Sequence, residues 1–167
     1  PQPIDSPEVT QIASAISRLG VVVGVPDSTA LRNLRLSPTE PAHLADAVLA
    51  IRERSEVDPA RVGLAGFSAG ASIALIAAAD PRIADDLAFV SAFGGYSDAE
   101  QLLIDVTTNT AVVDGAVRPW QADEGIRRDI TTLLTNAAGS EADAAAIQAL
   151  LAAPDRPTAE AAAAALS

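Results

Sequence analysis

The chain has 167 residues, a net charge of −11, a pI near 4.3 and no cysteine. That length is enough for one domain with a sizeable core, and the missing thiols exclude disulfides, thiolate nucleophiles and cysteine-held metals. All 11 basic residues are arginine, and so acidic a surface repels phosphate backbones, which argues against a nucleic-acid partner. Aromatic content is only 3%, so the core must be built from Ala, Val, Leu and Ile. No apolar run approaches the roughly 18–20 residues of a membrane span. The chain opens at Pro1 and contains no Met, so the lack of a signal peptide says little and the compartment stays open.

In chain order, Asp5-Ser6-Pro7-Glu8 reads as a helix start, with Ser6 as cap, Pro7 in the first turn and capping-box spacing from Asp5 to Glu8. Val9, Ile12, Ala13 and Ile16 then recur at helical spacing until Gly20. Val21 to Val25 is a β-branched run of the kind that forms a strand buried on both faces, ended by Pro26-Asp27-Ser28. Residues 28–37 read as a polar loop. Ser37-Pro38-Thr39-Glu40 starts a second helix with Leu44, Ala47, Val48 and Ile51 on one face. After the Asp58-Pro59 turn, Arg61 to Ala65 is a short strand, Ala69 to Ala79 an apolar helix ended by Asp80-Pro81, and Leu87 to Phe93 a further strand closed by Gly94-Gly95. The alternation over residues 6–95 predicts an α/β fold, a parallel sheet with helices on both faces and right-handed crossovers.

From residue 97 onward the pattern is helical throughout. Ser97-Asp98-Ala99-Glu100 caps a helix carrying Leu102, Leu103 and Val106. A loop through Asn109, Asp114-Gly115 and Pro119 follows, then a helix with Ile126, Ile130, Leu133 and Leu134. Ser140 starts another helix, and Thr158 to Leu166 is an Ala-rich last one. The expected organisation is residues 1–96 as a partial α/β core and 97–167 as an all-helical, cap-like segment.

Gly66-Phe67-Ser68-Ala69-Gly70 spells G-x-S-x-G between the predicted strand and the predicted apolar helix. That context is what a nucleophile elbow requires: the serine on a sharp strand-to-helix turn, with small flanking residues where a side chain would collide with backbone. The alternative is a capping serine at a glycine-rich turn. On these residues, together with Val21 to Asp27 and Asp58-Pro59-Ala60-Arg61-Val62-Gly63-Leu64, the chain resembles the α/β-hydrolase superfamily, in particular its dienelactone-hydrolase, esterase and peptidase-like branch. Phe89 to Thr108, with its Gly-Gly-Tyr turn and helix, is similar to the same branch, in which an inserted helical cap often follows this strand. The resemblance implies Ser68 as nucleophile and the Ala69 N–H as an oxyanion donor, with Phe67, Gly95 and Tyr96 lining the oxyanion and substrate region.

The resemblance also orders the catalytic groups as serine, then acid, then histidine. Here the single histidine, His43, precedes the serine. It therefore reads as a surface or helix-start residue, since a base needs hydrogen-bond reach to Ser68. The oxyanion loop of the superfamily would fall before residue 1, and its acid- and histidine-bearing strands after residue 167, so the expectation is an internal fragment, with aggregation or weak folding from an unpaired sheet edge. Asp98, shortly after the strand following the elbow, is a candidate triad acid or a first-turn helix acid favoured by the dipole. Asp27 is a crevice residue or a turn residue, Gly94-Gly95-Tyr96 a pocket wall or a turn with positive φ, and Trp120 a lid or a packed aromatic. One histidine, no cysteine and no lysine offer neither metal-ligand spacing nor a phosphate loop, so no cofactor is expected. The functional expectation is a serine hydrolase taking a small-molecule ester or acyl substrate through an acyl-enzyme, inactive in this chain for want of a base. A non-catalytic binding module and an acyltransferase with the same elbow remain open.

Overall fold

The structure, a computed structural model, describes residues 4–166, which divide into two compact units. The first unit contains the chain to Asn33 and Ser37–Ser97; the second contains Leu34–Leu36 and the chain from Asp98 onward. The fold is mixed α/β, with eight α-helices and four short strands among the described residues.

In the first unit, α1 (Pro7–Ser17) begins as expected, with the Ser6 hydroxyl accepting the Val9 N–H at 3.3 Å and Pro7 in the first turn. No residue of α1 is buried. Val21 to Val25 is not a strand; it runs without regular structure, and Val21, Val22 and Val25 are exposed. β-branched residues favour the extended backbone, but a strand exists only where a neighbouring ladder accepts it. The expected polar loop contains a single helical turn, α2 (Thr29–Arg32), capped by the Ser28 hydroxyl on the Leu31 N–H at 3.1 Å. α3 (Glu40–Arg52) starts after Thr39, whose N–H donates to the Ser37 hydroxyl at 3.3 Å.

Strand β1 (Leu64–Phe67), helix α4 (Ala69–Ala77) and strand β2 (Val90–Phe93) follow, with β1 and β2 parallel and Leu64 opposite Val90. The expected sheet is therefore present as one parallel pair. The wider sheet with helices on both faces is not seen among the described residues. The core of this unit is small and aliphatic. Ala45 and Val48 of α3 meet Val62, Leu64, Ala74, Ala77 and Ile83. Ala at three buried positions of α4, including Ala71, lets that helix lie close against the strands.

The second unit corrects the all-helical expectation. α5 (Ala99–Thr108) is followed by an antiparallel hairpin, β3 (Thr110–Val113) and β4 (Ala116–Pro119), with Val112 opposite Val117. Asp114 and Gly115 both have positive φ, 52° and 74°, the signature of a two-residue turn that matches strand twist. Then come α6 (Glu124–Thr135), α7 (Glu141–Leu151) and α8 (Arg156–Ala163). α5 packs against α6, α7, α8 and β3, and buries Leu103, Ile104 and Val106. Leu150 of α7 and Ala159 of α8 are fully buried.

Candidate nucleophile elbow

β1 ends at Phe67 and α4 begins at Ala69, so the whole change of direction falls on Ser68. Its φ of 53° and ψ of −128° lie outside the regions an L-residue occupies without strain. Two contacts hold it there. The Ser68 N–H donates to the Phe93 carbonyl at 2.9 Å, extending the ladder one step beyond β1, and the Ser68 carbonyl accepts the Ala71 N–H at 2.9 Å as the first bond of α4. A hydroxyl held between these two anchors is exposed to solvent.

The glycines flanking Ser68 differ in purpose. A Cβ on Gly66 would lie 2.3 Å from the Gly70 carbonyl oxygen and 2.7 Å from Ala71 Cα, both backbone, so only glycine lets the strand approach the first helical turn. A Cβ on Gly70 would meet nothing within 4 Å. The steric need expected of both glycines therefore holds for Gly66 alone. Ala69 and Gly70 open α4, and no carbonyl within the helix accepts their N–H groups. Together with the helix dipole they make a setting that favours negative charge beside Ser68.

The loop after β2 lies on the same helical turn. A Cβ on Gly95 would sit 3.0 Å from Ala71 Cβ and 3.3 Å from the Ser72 nitrogen. Ser72, which no sequence signal singled out, donates its hydroxyl to the Tyr96 carbonyl at 2.6 Å and accepts the Tyr96 N–H at 2.9 Å. Burial pushes the Tyr96 phenol up from its ordinary value, so it stays protonated at neutral pH and is no base there. Phe67 stacks on Phe93 with ring centroids 5.1 Å apart, and both rings are more than half exposed. Ser68, Ala69, Phe67, Gly95 and Tyr96 thus gather around the start of α4.

The remaining candidates sit elsewhere in the chain. His43 is exposed in the first turn of α3. The carbonyl of its neighbour Ala42 accepts from Arg82, which lies beyond the C-terminal end of α4. That end is separated from Ser68 by the nine residues of α4, about 13 Å of helix. Asp98 belongs to the second unit, where its carboxylate caps α5 by accepting the Gln101 N–H at 2.8 Å. Asp27 pairs with Arg32 at 3.3 Å. Trp120 is 41% exposed, and its backbone N–H donates to the Asn109 carbonyl. An open groove of about 510 Å³ runs along α1, walled by Val9, Ala13, Ser14, Arg18, Val23 and Val25; Ser68 is not among its walls. No cluster of metal-binding side chains occurs among the described residues, and none of their helices is long and apolar enough to cross a membrane.

No family model, no curated protein and no solved structure matches the chain.

Proposed function

We propose that Ser68 is the nucleophile of a serine hydrolase of the α/β-hydrolase type, acting on a carboxylic ester or a related acyl substrate. The observation that carries this reading is the backbone of Ser68: a non-glycine residue held at φ 53° and ψ −128° between a strand and a helix, with its hydroxyl in solvent. Strain of this kind costs on the order of 1–3 kcal/mol and persists where the surroundings over-determine it, as they do at functional positions. A structural cap explains the site less well, because the Ser68 side chain makes no capping bond to α4.

In the proposed reaction the Ser68 oxygen loses its proton to a base and attacks the carbonyl carbon, and the oxyanion gathers on the Ala69 side of the helix terminus. The carbon–oxygen bond to the alcohol then breaks, the alcohol leaves with a proton, and water releases the acid from Ser68. His43, the one imidazole of the chain, is out of hydrogen-bond reach, so in this chain the first proton goes to hydroxide or to an added base. Acylation is correspondingly slow, since a serine hydroxyl without its base loses most of its reactivity.

A fluorophosphonate probe at pH 9, where hydroxide is abundant, tests this by adduct mapping. Labelling is expected on Ser68, lost in Ser68→Ala, and accelerated by added imidazole. Adducts spread over surface hydroxyls, unchanged in Ser68→Ala, would sink the proposal. They would favour a second reading, a non-catalytic binding module.

A further inference from the structure

Ser72 is the one polar side chain in α4, whose sequence is otherwise Ala, Gly, Ile and Leu. It lies four residues after Ser68 and so one turn along the same helical face. Alanine would favour the helix more at this position. Instead a half-buried hydroxyl closes both backbone groups of Tyr96, as donor at 2.6 Å and acceptor at 2.9 Å. β2 has already ended at Phe93, so these bonds replace the ladder that the sheet no longer supplies.

The other end of this loop is tied as well, because the Phe93 carbonyl accepts the Ser68 N–H. Gly94 and Gly95 therefore span two anchors, Ser68 and Ser72, both at the start of α4. Gly94 turns the chain with φ 62°, and Gly95 lies flush on Ala71 and Ser72. Two adjacent glycines carry the largest backbone freedom a loop can have, so holding them in one conformation needs contacts on both sides. The hydroxyl of Ser72 fixes the far end of this span.

We propose that Ser72 is a positioning residue for the reaction at Ser68. It holds the Gly94-Gly95-Tyr96 loop as a fixed wall beside the nucleophile. The Tyr96 N–H is committed to Ser72 and is no oxyanion donor. The proposal rests on Ser68 being the nucleophile, and the experiment separates the two.

Fluorophosphonate labelling of the full chain at pH 9 is resolved into the reagent's binding constant and the maximal rate of phosphonylation. Ser72→Thr keeps a hydroxyl; Ser72→Val has the same shape without one. The maximal rate is expected to fall about tenfold in Ser72→Val, as for a displaced catalytic group, with the binding constant within about twofold on the same argument. Ser72→Thr should recover most of the rate. Hydrogen exchange at the Tyr96 amide should quicken in the Val variant only. Equal maximal rates in the Thr and Val variants overturn the positioning role while leaving Ser68 as nucleophile. Wild-type labelling no different from Ser68→Ala removes the nucleophile reading, and the role of Ser72 goes with it.

Discussion

Helices α1 and α7 are both 11 residues long, and both carry apolar residues at their centres, yet Leu150 of α7 is fully buried while Ile12 of α1 is 50% exposed. The contrast extends through the two units. α7 packs against α5, α6 and α8, and in that unit the large exposed apolar residues are Val112, Val113, Val117, Trp120 and Ile126, four of them on or beside the hairpin. In the first unit, Phe67, Phe89, Val90 and Phe93 on and beside the parallel pair are exposed, as are Leu75 and Ile76 of α4 and Ile12 and Ile16 of α1. The unit that holds the candidate site leaves more of its apolar surface in water, and it concentrates its backbone strain on one serine. The other unit satisfies itself with a packed helical core.

The largest effect that would sharpen this contrast comes from truncating one large apolar residue in each helix. Leu150→Ala is expected to cost about 3 kcal/mol, as for a filled aliphatic site that cannot collapse. Ile12→Ala is expected to cost under about 0.5 kcal/mol, as for a surface substitution. Urea unfolding followed by circular dichroism measures both. A loss above about 1 kcal/mol for Ile12→Ala would mean that the face of α1 is covered in solution, and the contrast between the units would fail.

The next effect tests the polar side of the second unit. Arg156, 8% exposed, donates to Asp105 and Glu160 at 2.8 Å and to the Thr110 hydroxyl at 2.9 Å, joining α8, α5 and the hairpin. Its Nη2 is buried without a hydrogen-bond partner. Burial lowers the affinity of this guanidinium for its proton, but the two carboxylates more than offset that, so Arg156 stays charged. Arg156→Ala leaves the half-buried Asp105 with no cation beside it and the Gln101 amide as its remaining donor, and is expected to cost about 2 kcal/mol. Trp120, the single tryptophan, lies in the same unit and reports the loss by fluorescence, while Ser68 labelling should be unchanged. Unfolding at the wild-type urea concentration would show the network to be dispensable.

What the sequence made legible follows the range of the forces involved. The strand-to-helix turn at Ser68 is legible in five residues, because Gly66, Ser68 and the change of direction are one local event. Caps are legible for the same reason: Ser6 and Ser140 each accept an N–H three residues on, and Asp98, expected as a first-turn acid or a triad acid, does the same one position before α5. The hairpin is equally local, yet the expectation over these residues is a loop: β4 holds a single β-branched residue, Val117, and ends at Pro119. The dipeptide Asp114-Gly115 is nonetheless a strong turn signal. Val21 to Val25 erred in the opposite direction. Its residues satisfy every local criterion for a strand, but pairing depends on a neighbour that no local pattern encodes. Ser72 carries no sequence signal because its partner lies 24 residues away, so only tertiary contact distinguishes it from an ordinary helix serine.

A smaller effect separates the two glycines of the elbow. Gly66→Ala places a Cβ against the backbone of Gly70 and Ala71 and is expected to cost about 1–2 kcal/mol from overpacking. It should also slow Ser68 labelling, since the strand must draw back from α4. Gly70→Ala meets no atom within 4 Å and should leave labelling near wild type while gaining up to about 1 kcal/mol of helix propensity. Equal labelling in both variants would mean that the close approach at Gly66 does not shape the turn at Ser68.

The smallest effect bears most directly on why the two units differ. If the strain at φ 53° and ψ −128° is kept for chemistry rather than for folding, removing it should stabilise the protein. Ser68→Gly relieves the clash of Cβ with its own backbone, a gain partly offset by the greater freedom of glycine in the unfolded chain, and a net stabilisation of about 0.5–1 kcal/mol is expected. Ser68→Ala keeps the Cβ and the strain and should melt within about 0.5 kcal/mol of wild type, because an exposed hydroxyl contributes little. Both variants lose labelling. The discriminating quantity is therefore the difference between Gly and Ala at one position, measured by urea unfolding. Were Ser68→Gly the less stable of the two, the turn would be relaxed as it stands, and the serine would have no physical mark setting it apart from other helix-start serines.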